Sequence, residues 1–200
     1  VSSLQSQDQV FAIPANFVPN PVRFDNYIQV WSSMPLARYI VNGLIVSLGS
    51  IVLTLVVAVL AAFPLAKLEI PGKKAIMTGL LFTQMFAPPV VLLSLFRIFR
   101  KLHLLDTLAG LIIVNTAFSL AFTTLLITDF FEMIPYEILE AATIDGCSKM
   151  NLLTKILFPV SSPGLVVTSI YVFTQVWNEF LFAFTFISSN EKFTPIVGLF

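Results

Sequence analysis

Charge is scarce in this sequence: charged residues make up 11% of its 200 residues, whereas roughly a quarter is usual in soluble proteins. Apolar residues make up 57%, and the mean hydropathy is +0.92. The formal net charge is zero, and the basic residues form no patch with interleaved aromatic residues, which argues against a nucleic-acid partner. So little charge and such long apolar runs are typical of a chain embedded in a lipid bilayer.

Cysteine and histidine are nearly absent. Because Cys147 and His103 are the only two such residues, a disulfide framework, a Cys/His metal site and a thiol–imidazole pair are all excluded. We interpret Cys147 as a small buried residue. His103 follows Arg97, Arg100 and Lys101 at the end of an apolar run, so we expect it to face solvent or lipid headgroups. The sequence predicts no metal and no cofactor.

A signal peptide is also missing, since no charged segment followed by an apolar core opens the chain. The chain begins at Val1 without a methionine and stops at Phe200, so we expect an interior piece of a longer protein. Residues 1–38 are rich in Pro, Asn and Gln and predict an aqueous or interfacial segment with a turn and a short helix after Asp25.

Four apolar segments have the length, about 20 residues, that a helix needs to cross the hydrocarbon core. They lie at about Tyr39–Leu65, Ile76–Phe99, Thr107–Thr128 and Pro163–Ile187. Because lipid cannot satisfy backbone polar groups and the alternation of barrel strands is absent, the sequence predicts an all-α polytopic helical bundle. Pro88-Pro89 predicts a break or kink after Gln84 in the second segment.

Each segment carries a face of small or polar residues. In the first segment, small residues recur at steps of three and four, which lets helices pack closely: Gly43, Ser47, Ser50, Thr54, Ala58 and Ala61. Polar stripes in the later segments predict a shared interior. The candidates for lining a path through the membrane are Gln84, Asn115, Ser119, Tyr171, Gln175, Asn178 and Glu179. An ion pair with Arg97, Arg100 or Lys101 is an equally good interpretation of Glu179.

The stretch EILEAATIDGCSKMNLLTKILFPVSSPGL, residues 137–165, interrupts the apolar runs. Pro135 predicts a helix that runs to about Asp145 and that Gly146 ends. Ser148 then caps a second short helix, which we expect Pro159 to stop, and Ser162-Pro163-Gly164 opens the fourth spanning helix. We call residues 132–162 the two-helix loop. Its small residues and acids predict a surface that a partner outside the membrane binds.

This stretch resembles the EAA loop of permease subunits in binding-protein-dependent ABC importers. The matching positions are Glu140, Ala141, Ala142, Asp145, Gly146, Pro159, Pro163 and Gly164. DFFEMIPYEILEAATIDG and VWNEFLFAF further resemble the carbohydrate-importer branch, in particular its maltose-permease-like second subunit, over nearly the whole chain. The resemblance implies the type I permease fold, with four of the family's usual six spanning helices in this sequence.

The resemblance also implies partners. The two-helix loop would be cytoplasmic and would sit in a cleft of an ATP-binding ATPase subunit, through Glu137, Glu140, Ala141, Ala142, Asp145, Gly146 and Ser148. Residues 39–200 would form the permease domain and residues 1–38 an extracytoplasmic or interfacial segment. A second homologous permease subunit, an extracytoplasmic solute-binding protein and a sugar complete the expected partners. The loop that would enter the cleft of the binding protein consists of Ser189, Asn190, Glu191 and Lys192.

No G-x-x-x-x-G-K-[ST] phosphate loop is present, so we expect a transport subunit rather than an enzyme, with ATP hydrolysis in the partner ATPase. The expected location is the inner or plasma membrane of a bacterium or archaeon. An intramembrane protease would need a serine with a basic partner or two facing aspartates within the spans, yet His103 lies at a helix end and no predicted span contains two Asp. An ion-coupled secondary transporter or channel stays an alternative, because it too uses broken helices and membrane-buried acids such as Glu179.

Overall fold

The computed structural model describes Asp25, Trp31 and residues 33–200. The predicted segment 1–38, with its short helix after Asp25, lies mostly outside the described residues. The helices are α1 (Leu36–Lys67), α2 (Lys73–Thr83), α3 (Pro88–Lys101), α4 (Leu108–Glu132), α5 (Tyr136–Ile144), α6 (Lys149–Leu152), α7 (Phe158–Val160), α8 (Ser162–Trp177), α9 (Leu181–Phe186) and α10 (Pro195–Gly198). No strand occurs among the described residues, in agreement with the predicted all-α class.

Two helices, α1 and α4, are each long and apolar enough to cross a membrane. Helix α1 contains the first predicted span, and α4 begins one residue after the start of the third and extends past its end, so both predictions are confirmed. The second predicted span consists of α2 and α3, which meet at 93° across residues 84–87. This confirms the predicted break before Pro88, whose missing N–H and fixed φ suit the first turn of a new helix.

The fourth predicted span is wrong as a continuous helix. Helix α8 ends at Trp177 and α9 begins at Leu181, so residues 178–180 interrupt it. The Glu179 carboxylate accepts hydrogen bonds from the backbone N–H groups of Phe182 (2.7 Å) and Ala183 (3.0 Å), which stabilises a new helix start. A second bend of 77° separates Lys149–Val160 from α8.

As predicted, the small face of α1 is a packing face: most of it lies along α4, and its start at Gly43 meets Trp177 of α8 and Pro195 of α10. Gly43, Ser47 and Thr54 are buried, and the buried row continues through Ala62 rather than the partly exposed Ala61. The approach is close: a Cβ on Gly49 would lie 2.7 Å from the Ile112 side chain. Small side chains therefore set the spacing of the two longest helices.

The first helix of the two-helix loop forms as predicted. Pro135 precedes α5, and Gly146 follows it with a φ of +81°, a conformation that favours glycine. The N–H of Gly146 donates to the Thr143 carbonyl and that of Cys147 to the Ala142 carbonyl, both at 3.0 Å. This pair of bonds is a Schellman motif, which ends α5 firmly.

Pro159 does not stop the second short helix, so that prediction is wrong. The Ser148 hydroxyl accepts from the Asn151 N–H at the start of α6, as predicted, but Leu153–Leu157 then form a π-helical turn that leads into α7. A π turn widens the backbone just where the ring of Pro159 would meet the carbonyl four residues earlier. The chain therefore stays helical to Val160.

Candidate functional site

The outer surface of the two-helix loop collects most of the predicted docking residues. Six of the seven are exposed: Glu137, Glu140, Ala141, Asp145, Gly146 and Ser148. Ala142 is the exception, since it is 7% exposed and belongs to the apolar core. It therefore anchors α5 from beneath and offers no surface to another chain.

The inner side of the same loop is fixed to the spanning helices. Leu139 and Leu157 are buried in one apolar cluster with Ile127 and Phe131 of α4 and Ala62 of α1. Such a cluster transmits displacement because close-packed interiors deform little. A force applied to the loop would reach both long helices.

Polar contacts reinforce this attachment. Lys73 pairs with Glu132 (Nζ to Oε1, 2.7 Å), and Lys67 donates to the Ile134 carbonyl at 2.6 Å. The ends of α1 and α4 and the start of α2 thus meet at the base of the loop.

Ile144 is an apolar surface residue that sequence reasoning missed. It is 86% exposed and lies three residues after Ala141, so both side chains share one face of α5. The sequence feature that could have identified it is an isoleucine directly before Asp145, in a segment that otherwise has several small residues. With Tyr136 (57% exposed) and Met150 (59%) also exposed on this loop, Ile144 belongs to an apolar surface that a protein partner could cover.

A cavity of about 520 Å³ lies between the two helix breaks and opens to the surface of the chain, where Pro88, Gln175 and Asn178 are exposed. All seven residues predicted to line a path border it: Gln84, Asn115, Ser119, Tyr171, Gln175, Asn178 and Glu179. They come from three stretches of the sequence, and both helix breaks, residues 84–87 and 178–180, lie at its wall. Irregular backbone at membrane depth is tolerated where it lines such a cavity.

Aromatic rings and prolines complete the lining, and the sequence offered no pattern that placed them there. They are Phe86, Pro88, Pro89, Phe118, Phe180 and Phe182, with Leu181. The amide donors of Asn115 and Asn178 bond to the carbonyls of Leu111 (2.9 Å) and Thr174 (2.7 Å) on their own helices. The cavity therefore presents amide and hydroxyl groups between flat apolar rings.

Glu179 makes none of the ion pairs considered for it. Over residues 33–200, the three ion pairs are Arg38–Glu191, Lys73–Glu132 and Lys192–Asp106. The Glu179 carboxylate instead accepts the two backbone N–H groups that begin α9, while it borders the cavity. The same side chain thus fixes the break and contributes to the wall.

The opposite end of the molecule carries the turn at residues 188–192, and Asp106 holds it in place. The Asp106 carboxylate accepts from the N–H of Ser189 (2.9 Å) and from its hydroxyl (2.5 Å), and it pairs with Lys192 at 2.9 Å. The hydrogen bonds from Ser189 and the Lys192 ammonium hold the pKa of Asp106 well below its usual range. The sequence alone gave no reason to connect Asp106 with a turn more than eighty residues later.

The first helix also contacts this turn. Arg38 pairs with Glu191 at 3.1 Å, the Tyr39 hydroxyl donates to the Asn190 side-chain oxygen, and the Asn42 amide donates to the Glu191 carbonyl at 2.9 Å. All four predicted contact residues, Ser189, Asn190, Glu191 and Lys192, therefore also hold the turn against the bundle. Asn190 and Glu191 remain exposed.

We expect Asp106→Asn to loosen this turn. The replacement puts an N–H group where donors now meet a carboxylate, so amide exchange at Ser188 and Ser189 should accelerate about tenfold or more. Hydrogen exchange with mass spectrometry measures this. Asp129→Asn, an exposed carboxylate on α4, is the matched control and should leave those amides unchanged.

The contact between Asp106 and Ser189 also predicts how the stability of the 188–192 turn changes at low pH. Folding lowers the pKa of Asp106, so the ionised carboxylate stabilises the folded turn. This stabilisation is fully present above the usual aspartate pKa of about 3.9 and is lost as the pH falls through the lower pKa of the folded state. Protection of the Ser189 amide should therefore persist through mild acid. Equal protection in wild type and Asp106→Asn at neutral pH would show that Asp106 does not hold the turn.

Comparison with known proteins adds the family context. The sequence model for "Binding-protein-dependent transport system inner membrane component" matches residues 55–198. The sulfoquinovosyl glycerol transport system permease protein SmoH of Agrobacterium fabrum is 34% identical over 198 residues, which cover 99% of this chain and 70% of that protein. The diacetylchitobiose uptake system permease protein NgcG of Streptomyces coelicolor is 29% identical over 199 residues, covering 100% of this chain and 66% of that protein.

Two further similarities point the same way. The trehalose transport system permease protein SugB of Mycobacterium tuberculosis is 31% identical over 182 residues, 91% of this chain and 66% of that protein. A crystal structure of a bacterial ABC transporter involved in the import of the acidic polysaccharide alginate has a chain that matches with a TM-score of 0.83 at 25% identity. That match covers 98% of this chain and 69% of the other. The chain thus spans 66–70% of the length of these proteins.

Proposed function

The chain belongs to the family of binding-protein-dependent transport system inner membrane components, and from this premise we propose that it is the permease subunit of an ATP-driven importer for a sugar or oligosaccharide. The observation that carries the proposal is the two-helix loop. It exposes Glu140, Ala141 and Ile144 on one side and is packed into the spanning helices on the other. A loop with one free side and one fixed side can pass a partner's movement into the membrane.

In this proposal the free side docks into a cleft of a cytoplasmic ATPase subunit. Ala141 allows close approach, Ile144 supplies an apolar anchor, and Glu137, Glu140 and Asp145 supply charge at the margin. Closure of the ATPases on ATP displaces α5, and the cluster around Leu139 carries the displacement to α1 and α4. The bundle then alternates between outward-open and inward-open states as a largely rigid body.

The cavity is the proposed substrate path. Gln84, Gln175 and Ser119 offer groups that can bond to hydroxyls, and the rings of Phe118 and Tyr171 offer flat apolar faces. A sugar presents both kinds of surface. The names of SmoH, NgcG and SugB, which refer to sulfoquinovosyl glycerol, diacetylchitobiose and trehalose transport, support a carbohydrate substrate for this chain.

The 188–192 turn is the proposed contact for an extracytoplasmic solute-binding protein. Asn190 and Glu191 are exposed at the end of the molecule opposite the two-helix loop, and the Asp106 contact limits their mobility. A second homologous permease subunit would supply the rest of the pore. We place the complex in the plasma membrane of a bacterium or archaeon, with residues 39–200 as permease domain and residues 1–38 outside the cytoplasm.

Transport in proteoliposomes tests the proposal. The chain is reconstituted with its partner permease and ATPases, and uptake of radiolabelled sugar delivered by the binding protein is measured with and without ATP. Uptake should require both ATP and the ATPase chain. Uptake driven by an ion gradient alone would instead support the secondary transporter.

We expect Glu179→Gln to reduce uptake about tenfold while the complex assembles normally. The amide keeps only one acceptor oxygen, so one of the two N–H groups at the start of α9 loses its partner and the cavity wall at Phe182 shifts. Recovery of the purified complex and uptake are measured side by side, with the exposed Glu69→Gln as control. Normal uptake in Glu179→Gln would show that the carboxylate neither shapes nor lines the path, and reduced recovery would indicate a purely structural role.

A further inference from the structure

The end of the molecule opposite the two-helix loop carries more positive than negative charge. From residue 33 onward it has five basic side chains, Arg38, Arg97, Arg100, Lys101 and Lys192, and two carboxylates outside the cavity, Asp106 and Glu191. Each carboxylate pairs with one cation, Glu191 with Arg38 and Asp106 with Lys192. Three cations, Arg97, Arg100 and Lys101, therefore remain without a counter-charge among the described residues.

These three cations share one face of α3. At about 100° per residue, Arg97, Arg100 and Lys101 fall within about 100° of the helix circumference. Phe99 lies on the opposite face and Phe96 at the side of the helix, and their rings pack against Phe186 with centroids 4.9 and 6.2 Å away. The cationic face is thus turned away from the bundle.

Below the cations, the same face is apolar. Val90 and Leu93 lie on it and are 73% and 66% exposed. The start of α3 borders the cavity, whereas its end leads to the Asp106 loop. Along the helix axis, this face therefore changes from apolar at the start of α3 to cationic at its end.

The spacing fits the layers of a bilayer. Arg97 to Lys101 covers about 6 Å of helix axis, and a headgroup layer is roughly 5–8 Å thick. Val90 lies about 10 Å from Arg97 along the helix axis, a distance that reaches the acyl chains of a lipid whose phosphate contacts the cations. Long basic side chains at a helix end reach readily to the interface.

We infer that Arg97, Arg100 and Lys101 form a binding site for the phosphate of anionic phospholipid headgroups, with Val90 and Leu93 against the acyl chains. The charge surplus and the apolar continuation below it favour a lipid over a soluble acidic protein, which would not cover Val90 and Leu93. Each basic residue near an anionic surface strengthens attraction about fivefold, so three together discriminate strongly between anionic and zwitterionic lipids.

The test uses the assembled transporter in nanodiscs made from equal amounts of phosphatidylglycerol and phosphatidylcholine. Lipid that stays bound after transfer to detergent is quantified by native mass spectrometry. Wild type should retain phosphatidylglycerol selectively, and Arg97→Gln/Arg100→Gln/Lys101→Gln should reduce that retention about tenfold or more. Arg38→Gln removes a cation that is already paired at the same end and should retain phosphatidylglycerol as wild type does.

A charge-keeping variant tests the lipid site if the triple variant assembles poorly. Arg97→Lys/Arg100→Lys keeps the charges and should keep selective retention. Equal retention in wild type and the triple variant would overturn the site. Loss of binding-protein affinity with unchanged lipid retention would also overturn it and assign the face to protein docking.

Discussion

Replacing Ala141 with arginine should abolish ATP-driven uptake while the chain still inserts and pairs with its partner permease. Ala141 is exposed on α5 beside Ile144, and a long charged side chain there prevents close docking in a cleft. A charge forced into a packed contact without a partner costs about 3–5 kcal/mol, enough to release the ATPase. Co-purification of the ATPase and uptake by proteoliposomes are the measurements.

The control is Ala75→Arg. Ala75 is also an exposed alanine on a short helix, but it lies in the basic beginning of α2. It should leave both ATPase recovery and uptake near wild type. Normal uptake and normal ATPase recovery in Ala141→Arg would show that α5 does not dock.

Replacing Ser189–Lys192 with two glycines should uncouple transport from hydrolysis. The change removes the exposed Asn190 and Glu191 and also the bonds of Ser189 and Lys192 to Asp106. The two-helix loop lies at the other end, so ATPase docking should survive. We expect hydrolysis to continue while sugar uptake falls close to background, measured as sugar moved per ATP hydrolysed.

Asp106→Asn distinguishes the effect of a loosened turn from the effect of losing the residues that the turn exposes. It loosens the turn but keeps every residue that could touch a binding protein. If those residues make the contact, Asp106→Asn should retain far more coupling than the shortened turn. Full coupled uptake by the shortened turn would show that the segment only connects α9 to α10.

The features that the sequence predicts well are set by local chemistry. The long apolar runs of α1 and α4 and the proline that begins α3 need no distant partner to take effect. The Gly146 cap is equally local, since its bonds close within α5. The family resemblance, drawn from the EAA motif, is confirmed by the match over residues 55–198.

The features that the sequence does not predict depend on contacts between distant residues or on small adjustments of the backbone. The break at residues 178–180 requires the Glu179 carboxylate to turn onto the next helix start, and apolar residues around it gave no sign of this. The π turn before Pro159 is a local rearrangement that propensity does not resolve. Asp106 reaches the 188–192 turn only because the aromatic packing of α3 on α9 brings the two loops together.

The residues that line the cavity include some that the sequence predicts and some that it does not. Polar stripes on α4 and α8 predict that residues such as Asn115 and Gln175 share an interior, and the cavity brings them together. The rings of Phe86 and Phe180 also line the cavity, and the sequence does not predict this. Both residues lie at helix breaks, where helical periodicity cannot be used to predict the direction of a side chain.

Site-specific crosslinking at position 141 tests most directly that the two-helix loop is the ATPase-docking element. In a Cys147→Ser background, which removes the one natural cysteine, Ala141→Cys is treated with a thiol-to-amine crosslinker in the assembled transporter. The account predicts an adduct with the ATPase at position 141 and none for Ala109→Cys, an exposed alanine at the first turn of α4 at the opposite end. An absent adduct at 141, or equal adducts at both positions, would contradict it.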